Sequence, residues 1–314
     1  MRRALMSWCA VVAMAATTAT GCTDGTGGDG NDEGRDRTQR TTRTHPAALT
    51  WQQEVRVADA LQRLTKQCMG RHGFAYWEDL GLTLLESRPV RFVQDDVAWA
   101  RTYGYGSRIE AKSARVRESN PNGAYRQGLS YSRRAAFDVA LDGGDSARML
   151  TASLPGRGEI RKRIGGCTQE AERTLYGDPA EWFRTSKTAL GLSSLYGKQL
   201  MEDRRLSAAV QAWSHCMKKA GQPYEDPQAA RDAVRAETGR LGPAHSDDAF
   251  TGERATAVAD ATCARRVSLR AVATERETRY LDRLRDRYGE DIDAYRHFGR
   301  RAYERAVHIV PERD

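Results

Sequence analysis

The pattern of apolar residues after residue 50 is mostly that of α-helices. Val57, Leu61, Leu64 and Cys68 recur at spacings of three or four residues, which places them on one helix face. A glycine such as Gly73 typically ends such a helix, because glycine adopts the left-handed backbone at low cost. The first globular segment is therefore predicted to open with a long amphipathic helix.

Capping residues mark the starts of further helices. Asp178 and Asp226 are each followed by proline, a residue preferred at the first helical position. Ser207 is a candidate N-cap for a helix that carries Trp213 and ends near Gly221. These signals predict a mainly α-helical fold.

The longest apolar stripe lies near the C-terminus. Five residues follow one another at intervals of seven: Leu281, Tyr288, Tyr295, Ala302 and Ile309. This stripe predicts one long helix that packs on its own domain. A coiled-coil partner is the alternative, and the charged residues Asp291 and Arg305 at the second seam position disfavour it.

Strand-like alternation is confined to one region. Residues 149–154 and 159–164 alternate apolar and polar side chains and flank the turn sequence PGRG. The pattern predicts a small β-hairpin, with Arg161 and Arg163 on one face and Ile160 and Ile164 on the other.

The N-terminus is typical of an exported bacterial lipoprotein. Residues 1–21 combine two arginines with a short apolar run, which is the pattern of a signal peptide. The run ends in ATGC, which resembles a lipobox and predicts lipidation (palmitate or another acyl chain) at Cys22. An ordinary secretory signal with an incidental cysteine is the alternative. Removal of Arg2 and Arg3 with the signal would lower the formal charge from +8 to +6.

Composition divides the rest of the chain. Residues 22–49 have almost no apolar side chains before residue 47 and predict a flexible tether after the lipidated cysteine. A first helical unit is predicted over 50–195, with an inserted lobe at about 85–160 that contains the hairpin. A second unit with the long C-terminal helix is predicted over 196–314.

One short phrase occurs twice in the chain. QCMGRHGFAYWED begins at Gln67 and HCMKKAGQPYED at His215; counted from its cysteine, each copy has Met at one, Gly at five, Tyr at eight and an acid at ten residues on. The simplest explanation is an internal duplication of disulfide-linked helical units. It predicts the pairs Cys68–Cys167 and Cys216–Cys263, although four cysteines allow three pairings.

Two other uses of the cysteines remain open at this point. Cys68, His72, His215 and Cys216 could form a zinc site, although their spacing matches no familiar zinc finger. A redox or nucleophilic cysteine is the second alternative, but the chain has no Cys-x-x-Cys motif. We predict structural disulfides, no metal and no cofactor.

A group of aromatic and arginine residues in the inserted lobe is the candidate ligand-binding surface. It consists of Trp99, Arg101, Tyr103, Tyr105 and Arg108, around two glycines. Aromatic rings and guanidinium groups suit sugars, carboxylates and phosphates, which are present in peptidoglycan and anionic wall polymers. The alternative is that the aromatic residues pack the inserted lobe.

The sequence carries no familiar catalytic motif. Adjacent acids occur at Asp95-Asp96, Asp247-Asp248 and Glu290-Asp291. A cell-wall-active hydrolase would need a pair of carboxylates that face each other across a cleft. We predict a non-enzymatic protein, with a cell-wall-active hydrolase that uses such a carboxylate pair as the alternative.

Four segments resemble secreted lipoproteins of high-GC Gram-positive (actinobacterial) bacteria. They are YGYGSR, ALDGGD, CTQEAERTLYGDPAEWF and AWSHCMKKAGQPYEDP, and the likeness runs from about residue 55 to the end. The resemblance implies an accessory role in the cell envelope and carries no catalytic residue. We predict a lipid-anchored protein on the extracytoplasmic face of the membrane, with a wall polymer or an envelope protein as partner, and not nucleic acid.

Overall fold

The structure confirms the mainly α-helical fold class. The computed structural model describes residues 47–313; the signal peptide, Cys22 and residues 22–46 of the predicted tether lie outside the described residues. The helices are α1 (Trp51–Arg71), α2 (Val97–Tyr103), α3 (Ser107–Glu118), α4 (Pro121–Gly128), α5 (Tyr131–Asp142), α6 (Gly166–Tyr176), α7 (Pro179–Gly191), α8 (Ser193–Met201), α9 (Arg204–Lys219), α10 (Pro227–Leu241), α11 (Ser246–Arg266), α12 (Leu269–Asp282) and α13 (Arg285–Ala306).

Most helix starts follow from local capping chemistry. Asp178 and Asp226 cap α7 and α10 as predicted, and each side chain accepts hydrogen bonds from two backbone N–H groups. The start of α9 differs from the prediction, because Asp203 and not Ser207 is its cap. Asp203 is also buried against Arg276, whose guanidinium lowers the pKa of this carboxyl to about 2.

The predicted hairpin is present. Strands β1 (Arg148–Leu154) and β2 (Gly158–Ile164) pair antiparallel, with Thr151 opposite Arg161 and Arg148 opposite Ile164. Arg161 and Arg163 lie on the exposed face, whereas Ile160 is partly covered and Ile164 is buried. The alternation of apolar and polar residues therefore predicted both the hairpin and which of its faces is exposed.

The repeated phrase has the same local structure in its two copies. After Met69 and Met217, both completely buried, the backbone turns back at Gly73 and Gly221, whose φ angles are 74° and 75°. In each copy the methionine carbonyl accepts a hydrogen bond from the backbone N–H five residues on. The buried methionine, the glycine turn and this hydrogen bond end α1 and α9 in the same way. A duplication of the whole helical units stays a prediction.

Both predicted disulfides are formed. Cys68 at the end of α1 is bonded to Cys167 in α6, and Cys216 in α9 is bonded to Cys263 in α11. Each bond lies in its own apolar cluster, the first with Met69, Phe74 and Phe137, the second with Leu206, Trp213 and Met217.

The C-terminal helix is shorter than the apolar stripe predicts. The chain turns at residues 283–284, so Leu281 belongs to α12 and Ile309 lies beyond α13. The stripe on α13 packs inside the molecule, where Phe298 and Ala302 contact the cluster of α1 and α6. Helices from both predicted units thus share one core. Among residues 47–313, no helix combines the length and apolar character needed to cross a bilayer.

Candidate ligand-binding site

The structure does not bring the five predicted ligand residues together on one open surface. Trp99 and Tyr105 are only 4% and 8% exposed, and the Trp99 indole donates a hydrogen bond to the Leu85 carbonyl at 3.1 Å. Tyr103 lies against Trp99, and Arg108 stacks on Phe250 at 3.9 Å and pairs with Asp247. Arg101 alone is exposed without a described partner. The buried aromatic residues therefore pack the lobe, as the alternative interpretation supposed.

The segment YGYGSR is fastened to α11 by one buried carboxylate. Glu253 is 1% exposed and accepts hydrogen bonds from the backbone N–H groups of Tyr105 and Ser107 at 2.7 and 3.1 Å. The Ser107 hydroxyl donates to the second carboxylate oxygen. A Cβ at Gly104 would lie within 2.7–2.9 Å of the Glu253 side chain, and φ at this position is 62°. The glycine is thus required by the close approach of Glu253.

A second buried carboxylate completes this attachment. Asp260, with no exposed surface, accepts hydrogen bonds from the Tyr105 hydroxyl at 3.0 Å and the Trp213 indole at 2.9 Å. Burial raises the pKa of Asp260 to about 6, while the nearby Arg231 opposes that rise. Asp260 is inaccessible to solvent. Its hydrogen bonds to Tyr105 and Trp213 therefore stabilise the packing of α9 and the segment after α2 on α11.

The four residues that the zinc alternative requires do not form one cluster among the described residues. Cys68, Cys167 and His72 have possible ligand atoms within 4.8 Å of one another, and His215 is not part of this group. The two sulfurs are bonded to each other, so neither is a thiolate that could bind a metal.

Four of the six paired acids of the hydrolase alternative form ion pairs with arginines. Asp96 caps α2 and pairs with Arg88, and Asp95 pairs with Arg270 at 2.6 Å. Asp247 pairs with Arg108 and Asp291 with Arg184. These ion pairs give the four acids structural roles, and in the part of the chain that the structure describes none of them is part of a carboxylate pair across a cleft of the kind that a hydrolase needs.

The candidate site is an apolar cavity that no single sequence motif predicts. Its volume is about 270 Å³, and it lies where α1, α7, α8 and α13 meet. Its apolar lining includes Val57, Leu61, Leu192, Leu281 and Ile292. For comparison, an engineered cavity of ~150 Å³ binds benzene, so this one has room for a somewhat larger apolar group.

Stacked aromatic rings form one wall of the cavity. Trp182 lies nearly parallel to Tyr176, at 3.9 Å between ring centroids, and nearly parallel to Tyr295, at 5.5 Å. Tyr196 adds a fourth ring, and its hydroxyl donates to Glu277 at 2.9 Å. The stacking of Trp182 with tyrosines from two other helices makes this wall of the cavity largely aromatic.

Two charged residues line the otherwise apolar cavity. The side chain of Glu54, in the first turn of α1, makes no hydrogen bond or ion pair with residues 47–313. Burial raises the pKa of this carboxyl to about 7, against the opposing effect of Arg91. Burial also lowers the pKa of Arg296, and the neighbouring Arg285 adds to that shift. A carboxyl that is easily protonated can donate or accept a hydrogen bond near neutral pH.

Sequence reasoning missed this cavity because its parts are far apart in the chain. Residues from Ala48 to Gly299 contribute to it. Trp182 reads as an ordinary apolar helix residue and Tyr295 as part of a packing stripe. Glu54 is the one available signal, as an acid on the apolar side of an amphipathic helix.

We expect Glu54→Gln to remove a pH dependence of stability between about pH 4.5 and 7. The unfolded chain loses the Glu54 proton near pH 4.5, and the folded chain keeps it until about pH 7. This proton therefore stabilises the fold fully below pH 4.5, and the contribution is lost as the pH rises through 7. After a discount for partial exposure, we expect Gln to gain about 1–2 kcal/mol over wild type at pH 8.

The measurement is the free energy of unfolding by urea at pH 4.5, 6 and 8. Glu118→Gln, at the exposed end of α3, removes the same charge and should follow the wild-type pH profile. Parallel profiles for Glu54→Gln and wild type would contradict the burial of this carboxyl.

Comparison of the chain with family models, with curated proteins and with solved structures found no match, so the resemblance to actinobacterial lipoproteins stays a prediction.

Proposed function

We propose that this chain is a lipid-anchored, non-enzymatic binding protein of the extracytoplasmic face of the cell membrane. Its ligand is a small, largely apolar molecule that occupies the aromatic-walled cavity. The observation that carries the proposal is the cavity itself, with about 270 Å³ of space, a wall of stacked aromatic rings and the Glu54 carboxyl, for which the described residues provide no hydrogen-bond partner. Apolar pockets with a few converging polar groups are the usual form of small-molecule sites.

Two further features support a location outside the cytoplasm. The ATGC sequence that ends at Cys22 and the polar segment after it fit a lipidated, tethered N-terminus. The two buried disulfides suit an oxidising compartment, where such bonds persist. An accessory role beside an envelope protein or wall polymer fits the same location.

A wall-active hydrolase is the weaker candidate. The cavity is lined by one carboxyl group, that of Glu54, whereas hydrolysis of a glycosidic bond by the usual route needs two. Four of the six acids in the pairs of the sequence form ion pairs with arginines, as described above.

Binding is tested with N-phenyl-1-naphthylamine, a neutral fluorophore that brightens in apolar surroundings. We expect saturable binding to wild type and a loss of about tenfold or more in affinity for Ala189→Phe, whose side chain fills the cavity from α7. Ala236→Phe, on the exposed surface of α10, is the matched control and should bind within about twofold of wild type. Equal binding by Ala189→Phe, or none by wild type, would refute the cavity as a ligand site.

The anchor is tested in the same preparation. Wild type should fractionate with membranes and carry a diacyl mass on residue 22, and Cys22→Ser should carry no acyl mass. A mature wild-type protein without acyl groups on residue 22 would contradict lipid anchoring.

A further inference from the structure

A second surface, separate from the cavity, gathers three arginines. Helices α2 and α11 pack against each other, and an open depression lies between them. It is lined by Val97, Ala98, Arg101, Thr262, Arg265 and Arg266. Every charge in this lining is positive, because no carboxylate contributes to it.

The acids nearest in sequence do not neutralise these arginines. Asp95 pairs with Arg270, and Asp96 caps α2 and pairs with Arg88. Neither acid forms an ion pair with an arginine of the depression among residues 47–313. The three arginines therefore keep their positive charge without an ion-pair partner among residues 47–313.

The three guanidinium groups differ in how firmly they are held. Arg265 donates through Nε and Nη2 to the Asp95 carbonyl at 3.2 and 3.0 Å, which orients its plane. Arg101 and Arg266 are exposed and have no partner among residues 47–313. One fixed and two adaptable arginines leave several N–H donors for a ligand with multiple acceptor oxygens.

We propose that this depression binds the phosphate groups of an anionic phosphodiester polymer. Guanidinium groups match the charge and the paired oxygens of phosphate, and a polymer places successive phosphates within reach of neighbouring arginines. A lipid headgroup offers the same chemistry, but Val97 and Ala98 are the apolar residues of the lining, and neither is large enough to insert into a bilayer. The choice of a wall polymer rests on the proposed extracytoplasmic location.

The test compares two double variants with equal loss of charge. Arg101→Gln with Arg266→Gln removes the two unpartnered arginines of the depression. Arg157→Gln with Arg161→Gln removes two exposed, unpartnered arginines of the hairpin. Binding to immobilised poly(glycerol phosphate) is measured at several salt concentrations, with wild type as reference.

We expect the depression variant to lose at least about tenfold in affinity at low salt and the hairpin variant to stay within about twofold. The slope of log affinity against log salt should become shallower by about 1.5 in the depression variant, since two phosphate contacts are lost. Arg101→Lys with Arg266→Lys keeps the charge without the guanidinium fork and should be intermediate. If the double Gln variant fails to fold, the double Lys variant replaces it in the comparison with wild type.

Equal losses in the two Gln variants would overturn the proposal, because overall charge would then explain binding. Binding to vesicles with 30% anionic lipid but not to the polymer would also overturn it, in favour of a membrane surface. Naphthylamine binding by the same variants shows whether the cavity is intact, so failure here is distinguishable from failure of the proposed function.

Discussion

Replacement of Cys68 and Cys167 by alanine should lower the free energy of unfolding by about 4.7 kcal/mol. The bond closes a loop of 99 residues, and the chain-entropy argument gives that figure for the conformational freedom restored to the unfolded chain. Cys216 and Cys263 close a loop of 47 residues, for which the same argument gives about 4 kcal/mol. Either loss is a large part of the ~5–15 kcal/mol that stabilises a typical domain.

The measurement is denaturant unfolding of the two double alanine variants under non-reducing conditions. Alanine is preferred to serine because all four cysteines are buried, and a buried hydroxyl would add its own desolvation cost. Wild type treated with dithiothreitol should show the combined effect of both losses. An unchanged midpoint in either variant would mean that the corresponding sulfurs are not bonded, and bound zinc in the purified protein would revive the metal alternative.

Glu253→Ala should destabilise the fold by about 3–5 kcal/mol and loosen the YGYGSR segment. The substitution leaves the backbone N–H groups of Tyr105 and Ser107 without acceptors in a buried site. Each buried unsatisfied donor costs about 1–3 kcal/mol, and the cavity left by the side chain adds to that cost.

Glu253→Gln is the informative companion variant. Its carbonyl oxygen can still accept from both backbone N–H groups, and the Ser107 hydroxyl can rotate to accept from the new amide, so we expect a loss of about 1 kcal/mol. Glu237→Ala, in an exposed pair with Arg240, should cost less than about 0.5 kcal/mol. Urea unfolding gives the stabilities, and hydrogen exchange at the Tyr105 and Ser107 amides reports the local loosening. If Glu253→Ala were as stable as wild type, the segment would not depend on this carboxylate.

The helix ends and the hairpin could be predicted because their causes are local. Asp178 followed by proline, and a glycine after each repeated Cys-Met, fix the backbone through contacts within a few residues. The prediction of Ser207 was wrong because local signals allow either Ser207 or Asp203 as the cap. Asp203 is the cap in the structure, and it also pairs with the distant Arg276. The break before α13 lies inside an uninterrupted apolar pattern, and local signals gave no reason to expect it.

The ligand residues of the inserted lobe illustrate the limit of local reasoning. Trp99 and Tyr105 have the composition of a sugar-binding surface, but both are buried. The Trp99 indole donates to the Leu85 carbonyl, and α11 supplies Glu253 and Asp260 as acceptors for Tyr105. The solvent exposure of a residue depends on which distant segment packs against it, and this cannot be predicted from the residue type. Arg101 is exposed, and its ligand-binding role stays a prediction; its neighbours in space are Arg265 and Arg266.

By itself, the sequence determined the helical class and the hairpin with its faces, and a repeated phrase favoured one of the three possible cysteine pairings. These features depend on periodicity, on capping side chains and on spacing, all of which are written along the chain. Only the tertiary structure decided where the aromatic residues lie, how α1, α7, α8 and α13 leave a cavity around Trp182 and Glu54, and which arginines share a surface. A cavity and a charged depression are gaps between packed elements, and their shape follows from the packing of residues that are distant in sequence.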